Sequence, residues 1–356
     1  MIAPVRNFNM EMEEITLAKG LKIISGARLE ADIQLGERFK EQVGTLNWEL
    51  VTHHSIFYFE GEASDFVGFI SGSMLTAIKT IHKKFGDFFY NFINGLWFVK
   101  DNCCFCNQYF LEELDSGRVS ICYKDVITSM ATDEFAYFNF SAEEIERHKE
   151  IFFTITKFQV LSDTRHQAAI DSLLDTDGGI ISSPTNTVVY DHPRLYRALF
   201  FLDMVRKNGS AITKITFFMS LYECLFTSDD HAIAKKIRER ASSLLGGSTK
   251  ERKIFKDLIF RAYEIRSRNV HGDSIQTPPE KIKRIVSDLD NYTRKILLFI
   301  LNLENNEIYT GSDSLQTKEV FEAYFDNLVI NTVKREDATE KQHRLGDCTV
   351  HAFLPR

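Results

Sequence analysis

The stretch YEIRSRNVHGD, residues 263–273, gathers Arg266, Ser267, Arg268, Asn269 and His271 within six positions and stops at Gly272. An imidazole takes or gives a proton near neutral pH, while a guanidinium keeps its charge and matches phosphate oxygens with its planar fork. Together they suit phosphodiester chemistry. The arginine stabilises charge developing on the phosphorus oxygens. The histidine deprotonates a ribose 2′-OH or protonates the leaving 5′-oxygen. Arg266 and Asn269 are three apart and Ser267 and His271 four apart, so on a helix each pair shares a face. Glycine is the expected residue just past a helix end, where the dipole is negative and a cation is favoured. A plainer reading stands beside this one: Arg and His in a last turn are also ordinary capping chemistry. R-x4-H alone does not separate the two.

The elements that must position these side chains are legible around them. Ser248 and Glu251 make a capping box that opens a helix over 248–272, with apolar positions Ile254, Leu258, Ala262, Ile265 and Val270 at rough helical spacing. Upstream, 193–209 ends at a glycine, 212–226 is apolar nearly all round and so reads as a buried helix, and 231–247 is amphipathic. Downstream, 278–304 starts with Pro in its first turn, where a missing N–H costs nothing, and a helix near 317–330 leads into a loose polar tail.

The first half reads differently. Residues 1–60 are strand-rich, 66–96 hold one or two helices, and LWFVKDNCCFCNQYFLEEL reads as a strand or strand pair. SICYKDVITSM is ambiguous. Ser141 with Glu144 opens a helix to about residue 158, a further helix covers 161–174, and TDGGIISSPTN (176–186) is the linker. The fold class expected is α+β: an N-terminal mixed α/β domain over 1–180, an all-α domain over 190–330, and a polar tail over 331–356.

The run LIFRAYEIRSRNVHGD resembles the signature of the HEPN superfamily, in particular its Apea-like branch: an aromatic, two residues, Arg-Ser, a few residues, then Val-His-Gly. ITKITFFMSLYECLF resembles the early helix of that family, with an acidic residue near its end, here Glu223. IRERASSLLG resembles the next helix, with Arg240. The resemblance covers roughly residues 190–305, and LWFVKDN (96–102) also resembles proteins of this architecture. It implies a helical bundle that pairs across a two-fold axis, with Arg266 and His271 catalytic and Ser267, Arg268, Asn269, Glu223 and Arg240 in support. It also implies a metal-independent endoribonuclease with an RNA substrate, of prokaryotic toxin, abortive-infection or anti-phage type. The N-terminal domain would then meet a trigger or protein partner. Many active members carry Asn, Asp or His directly after the arginine. Ser267 stands there in this chain, as is common in the Apea-like branch, so a non-catalytic adaptor that dimerises and binds nucleotide, RNA or protein is the alternative.

Other chemistry is less well supported. Cys103, Cys104 and Cys106 form C-C-x-C rather than C-x2-C, with no second pair, which favours core cysteines over zinc; no metal or cofactor is expected. His53 and His54 lie in strand-like sequence, where neighbours face opposite sides. GGSTK (246–250) lacks the full phosphate-loop pattern and reads as a helix stop with a cap. Asp177-Gly178-Gly179 reads as a turn. Phe88, Phe89, Tyr90, Phe92 and Trp97 could stack on bases but at that spacing read as core.

The totals agree with a two-domain globular protein: 356 residues, 44% apolar and 26% charged. The net charge of −7 is unevenly spread. Residues 231–300 hold 16 Lys/Arg against 8 Asp/Glu, a local excess of +8, which points toward a polyanionic partner as well as to solvated helix faces. MIAPVRNFNMEMEEI has no signal-peptide pattern, KILLFILNL is too short to span a bilayer, and the six cysteines do not form a secreted framework. A cytoplasmic protein with reduced thiols and no membrane contact is expected.

Overall fold

Strands β1 (Ile2–Val5) and β5 (Ser55–Phe59) are buried at every position. The reason is that the sheet they join is covered on both faces, so their residues alternate between two cores rather than between core and water. The computed structural model describes residues 1–31, 37–62, 74–124, 126–156, 193–302, 309 and 318–350. The chain is α+β, with an antiparallel sheet in its N-terminal part and helices dominating the C-terminal half. The helix expected over 161–174, the linker over 176–186 and the turn at Asp177 lie outside the described residues.

Two units make up the described chain: Met1–Thr156 together with Arg206–Gly209, and the remainder. In the first, β3 (Glu14–Ala18), β4 (Leu21–Ser25), β6 (Gln108–Glu113) and β7 (Arg118–Tyr123) complete a six-stranded sheet in the order β3-β4-β5-β1-β6-β7, every neighbouring pair antiparallel. Two short strands, β2 (Phe8–Met10) and β8 (Phe138–Phe140), pair in parallel beside it. Ala3, Val5, Ile23, Phe57 and Phe59 face α4 (Met74–Gly95), meeting its Phe85, Phe89 and Phe92. Phe57 stacks on Phe89 with ring centroids 4.5 Å apart. The opposite face sets Ile2, Ile24, Ile56 and Phe110 against three short helices, α1 (Arg28–Ala31), α2 (Glu37–Val43) and α3 (Thr45–Thr52). Helix α5 (142–156) starts at the expected capping box: Glu144 N–H donates to Ser141 Oγ, and Ser141 N–H donates to Glu144 Oε2. Its His148 is wholly buried against Phe92, 4.4 Å between centroids. Burial of the charged form lowers its pKa to about 4.

Several expectations for this unit change. Residues 28–31, 37–43 and 45–52 are helical rather than extended, and they cover the second face of the sheet. Of the strand or strand pair expected over 96–114, Gln108–Glu113 forms β6, while Leu96–Phe98 is a 3-10 turn followed by irregular backbone. The three clustered cysteines are buried there as free thiols, in the core as expected but outside a strand. His53 and His54 terminate α3 instead of lying in a strand, and each Nδ1 bonds a carbonyl one turn back, Glu49 and Leu50. The Arg206 guanidinium donates to the Asn102 carbonyl, so residues 206–209 group with the first unit rather than the second. Phe89, Phe92 and Trp97 are core, as their spacing suggested.

In the second unit, α6 (Arg194–Arg206) precedes α7 (Ala211–Phe226), which packs against α8 (Ile233–Leu245), α9 (Thr249–His271) and α10 (Pro279–Leu301). Contact with three helices explains why α7 is apolar nearly all round. Helix α11 (Lys318–Val350) packs on α8 and runs well past residue 330. The loose tail is therefore helical backbone to Val350: DATEKQHRL contains good helix formers and no proline to stop it. Among the described residues no helix is long and apolar enough to cross a membrane.

Candidate functional site

Helix α9 is fixed at both ends. Ser248 Oγ accepts from Glu251 N–H while the Glu251 carboxylate accepts from Ser248 N–H, completing the expected capping box. At the other end Gly272 adopts φ +76° and Asp273 N–H returns to the Arg268 carbonyl. Only glycine takes that left-handed step without strain, so it sets where His271 ends the helix. Between them Phe255, Leu258, Ile259, Ala262 and Ile265 are buried. Ile254 and Val270, expected on the same face, are 53% and 57% exposed. Phe255 and Ile259 carry the core stripe where Ile254 was expected.

Arg266 and Asn269 face α7. Arg266 Nη2 lies 3.4 Å from Glu223 Oε1, with side chains 27% and 23% exposed, and its Cζ stands 5.6 Å from the Tyr263 ring centroid. Asn269 Nδ2 donates to Thr216 Oγ1 at 3.2 Å. The ion pair is loose. Glu223 Oε1 and Arg266 Nε are both buried, and neither has a hydrogen-bond partner among the described residues. Such orphaned atoms are uncommon in folded proteins. Burial raises the Glu223 pKa above the usual carboxylate range, with Arg266 pulling the other way. His271 is exposed at the helix end, and Ser267 is half-buried.

The remaining expected residues lie apart from this cluster. Arg240 is buried, donates to the Phe226 carbonyl at 2.9 Å and pairs with Glu322 of α11, over the rings of Phe321 and Phe325. That makes it a strut between α8 and α11. Arg268 is exposed on the side of α9 that faces α10. Thr216 was not foreseen. It stands seven residues before Glu223, two turns along one face of α7, a spacing present in the sequence but pointing nowhere until α9 is docked.

Chemically, the cluster offers a guanidinium held against a carboxylate, an amide, and an exposed imidazole one helical turn or so along the same helix. No set of three or more His, Cys, Asp or Glu side chains among the described residues is arranged to hold a metal ion. Comparison with known proteins finds no matching family model, no matching curated relative and no matching solved structure.

Proposed function

We propose that the chain is a metal-independent endoribonuclease of the HEPN type, acting as a homodimer that brings two α9 ends together. The observation that carries this reading is the loosely paired, partly orphaned Arg266–Glu223 couple on the helix that ends in an exposed His271. Arg266 binds a phosphate oxygen and offsets the charge that grows in the transition state. One His271 accepts the 2′-OH proton as the 2′-oxygen bonds to phosphorus. The P–O5′ bond breaks, and the His271 of a second copy protonates the leaving oxygen. The products are a 2′,3′-cyclic phosphate and a 5′-hydroxyl end. Asn269, held by Thr216, supports the geometry. The N-terminal unit, which presents Tyr123, Phe135 and Tyr137 to solvent, is the part that meets a trigger or partner, in a defence or toxin setting. The end chemistry tests the reaction directly: fragments made by the protein should carry cyclic phosphate and accept a kinase label at their 5′ ends without prior dephosphorylation. Fragments with 5′-phosphates would exclude this mechanism.

One observation favours a second reading. Arg266 is already engaged by Glu223, and Ser267 follows it, as suits a non-catalytic HEPN adaptor. Overproduced wild type should then be no more toxic than His271→Ala, whereas the nuclease reading expects toxicity from the wild type alone.

A further inference from the structure

A groove of about 920 Å³ runs between α9 and α10, away from the side of α9 that carries Arg266. Its charges are graded. Toward the turn joining the two helices it is lined by Arg261 and Arg268 from α9 and Lys281 and Arg284 from α10, with Glu264 as the only acid among them. Its other end carries Asp257 and Asp288 beside Tyr292. All four cations are exposed, and none forms an ion pair among the described residues. Elsewhere in this unit Lys236 is paired with Asp229, Arg240 with Glu322 and Arg294 with Asp290. The groove therefore collects unpaired positive charge at one end. Arg261 and Arg268 are two turns apart, about 10 Å along the axis. Heads spread over that distance suit several phosphates in a row better than one isolated anion. Arg268 and His271 are three apart on α9, so the cationic end runs toward the helix end that carries His271.

From this placement we infer that the α9–α10 groove binds the sugar-phosphate backbone of single-stranded RNA and leads the strand to the end of α9. The choice of RNA rests on the reaction proposed above; the phosphate chemistry rests on the groove. Tyr292, its ring edge-on to Phe255 at 4.9 Å, gives the far end a fixed aromatic surface for a base.

The test uses the full-length protein and a fluorescein-labelled 12-mer RNA with 2′-O-methyl groups, which cannot be cut by 2′-OH attack. Binding is followed by anisotropy from 50 to 200 mM salt. The variant Arg261→Gln/Lys281→Gln/Arg284→Gln removes three unpaired exposed charges, and its melting temperature serves as a check on folding. Each lost phosphate contact should lower the slope of log K against log salt by about 0.7, so the slope falls by about 2 and affinity at 100 mM salt drops at least tenfold. Lys250→Gln/Lys253→Gln, outside the groove, should bind as the wild type does. Wild-type affinity and slope in a well-folded triple variant would overturn the inference. So would the absence of wild-type binding, or full competition by a mononucleotide at its own micromolar concentration, which would indicate a small-anion site. The two proposals fail separately. If the 12-mer binds through the groove but unmodified RNA is not cut, the nuclease reading falls and the groove stands. If RNA is cut with unchanged KM by the triple variant, the groove falls and the nuclease stands.

Discussion

Glu223→Gln should tighten the binding of RNA at Arg266. In the wild type an incoming phosphate must displace a carboxylate 3.4 Å from the guanidinium. At an effective dielectric of about 20 the gross attraction at that distance is about 5 kcal/mol. Both side chains are about a quarter exposed and the contact lacks a hydrogen bond, so solvent screening leaves a net competition of about 1–1.5 kcal/mol. That corresponds to about tenfold in affinity. The pH dependence follows from the raised Glu223 pKa, whose main cause is burial. As pH falls through that pKa the carboxyl becomes neutral and releases Arg266, so wild-type affinity rises toward acid. Glutamine stays neutral, so the variant loses this component and its advantage is largest above the pKa of the wild-type carboxyl. The same sign holds for stability. A carboxyl whose folded pKa is raised contributes stability below the unfolded pKa and loses it as pH rises, so the glutamine variant should be no less stable than the wild type at neutral pH. The assay is anisotropy with the non-cleavable 12-mer at pH 6 and pH 8, with Arg266→Ala as reference. Binding by Glu223→Gln as weak as that of Arg266→Ala at both values would refute the reasoning and make Glu223 the group that orients the arginine.

Other outcomes are expected elsewhere in the molecule. Arg240→Ala should cost about 3 kcal/mol in urea unfolding, because it strands Glu322 and removes a buried cation. Arg240 holds the Glu322 carboxyl at about 2, so the stability from this pair is full above the unfolded pKa near 4.5 and is lost as pH falls toward 2; Glu322→Gln should flatten that loss. His148, held neutral with a pKa of about 4, gives stability that is full above about pH 6.5 and falls by about 3 kcal/mol as pH drops to 4, a slope that His148→Leu should remove from unfolding curves. Gly272→Ala meets no steric contact but must hold φ +76°, so about 1 kcal/mol of stability should go, measured by thermal melting. Burial pushes the Cys106 thiol up to about 12 and raises Cys104 further, so mass mapping after iodoacetamide treatment at pH 8 should find both unmodified until the protein unfolds.

The helical half was legible because its signals are local. Capping residues, a first-turn proline and a terminal glycine mark both ends of α9 and the start of α10 within a residue, and each acts through the backbone beside it; the end of α10, expected at 304 and found at Leu301, carries no such mark. The sheet was less legible for a physical reason. Strands buried on both faces lose the alternation that identifies a strand, and residues 28–31, 37–43 and 45–52 are helices that cover the second face of the sheet, which no local pattern states. The site divides in the same way. Arg266, Asn269 and His271 share one short run, and Glu223 was reached through a resemblance. Thr216 becomes a partner only when α7 and α9 pack. Arg240 belongs to a strut with Glu322, eighty-two positions away, and sequence spacing carries no trace of that pairing.

The central claim is that Arg266 and His271 cut RNA without a metal. Purified wild type and the Arg266→Ala/His271→Ala double variant, each incubated with total RNA and tRNA in excess EDTA, test it most directly. Discrete fragments from the wild type, absent with the variant, are the expected result. Cleavage that EDTA abolishes, or that the double variant retains, would contradict it.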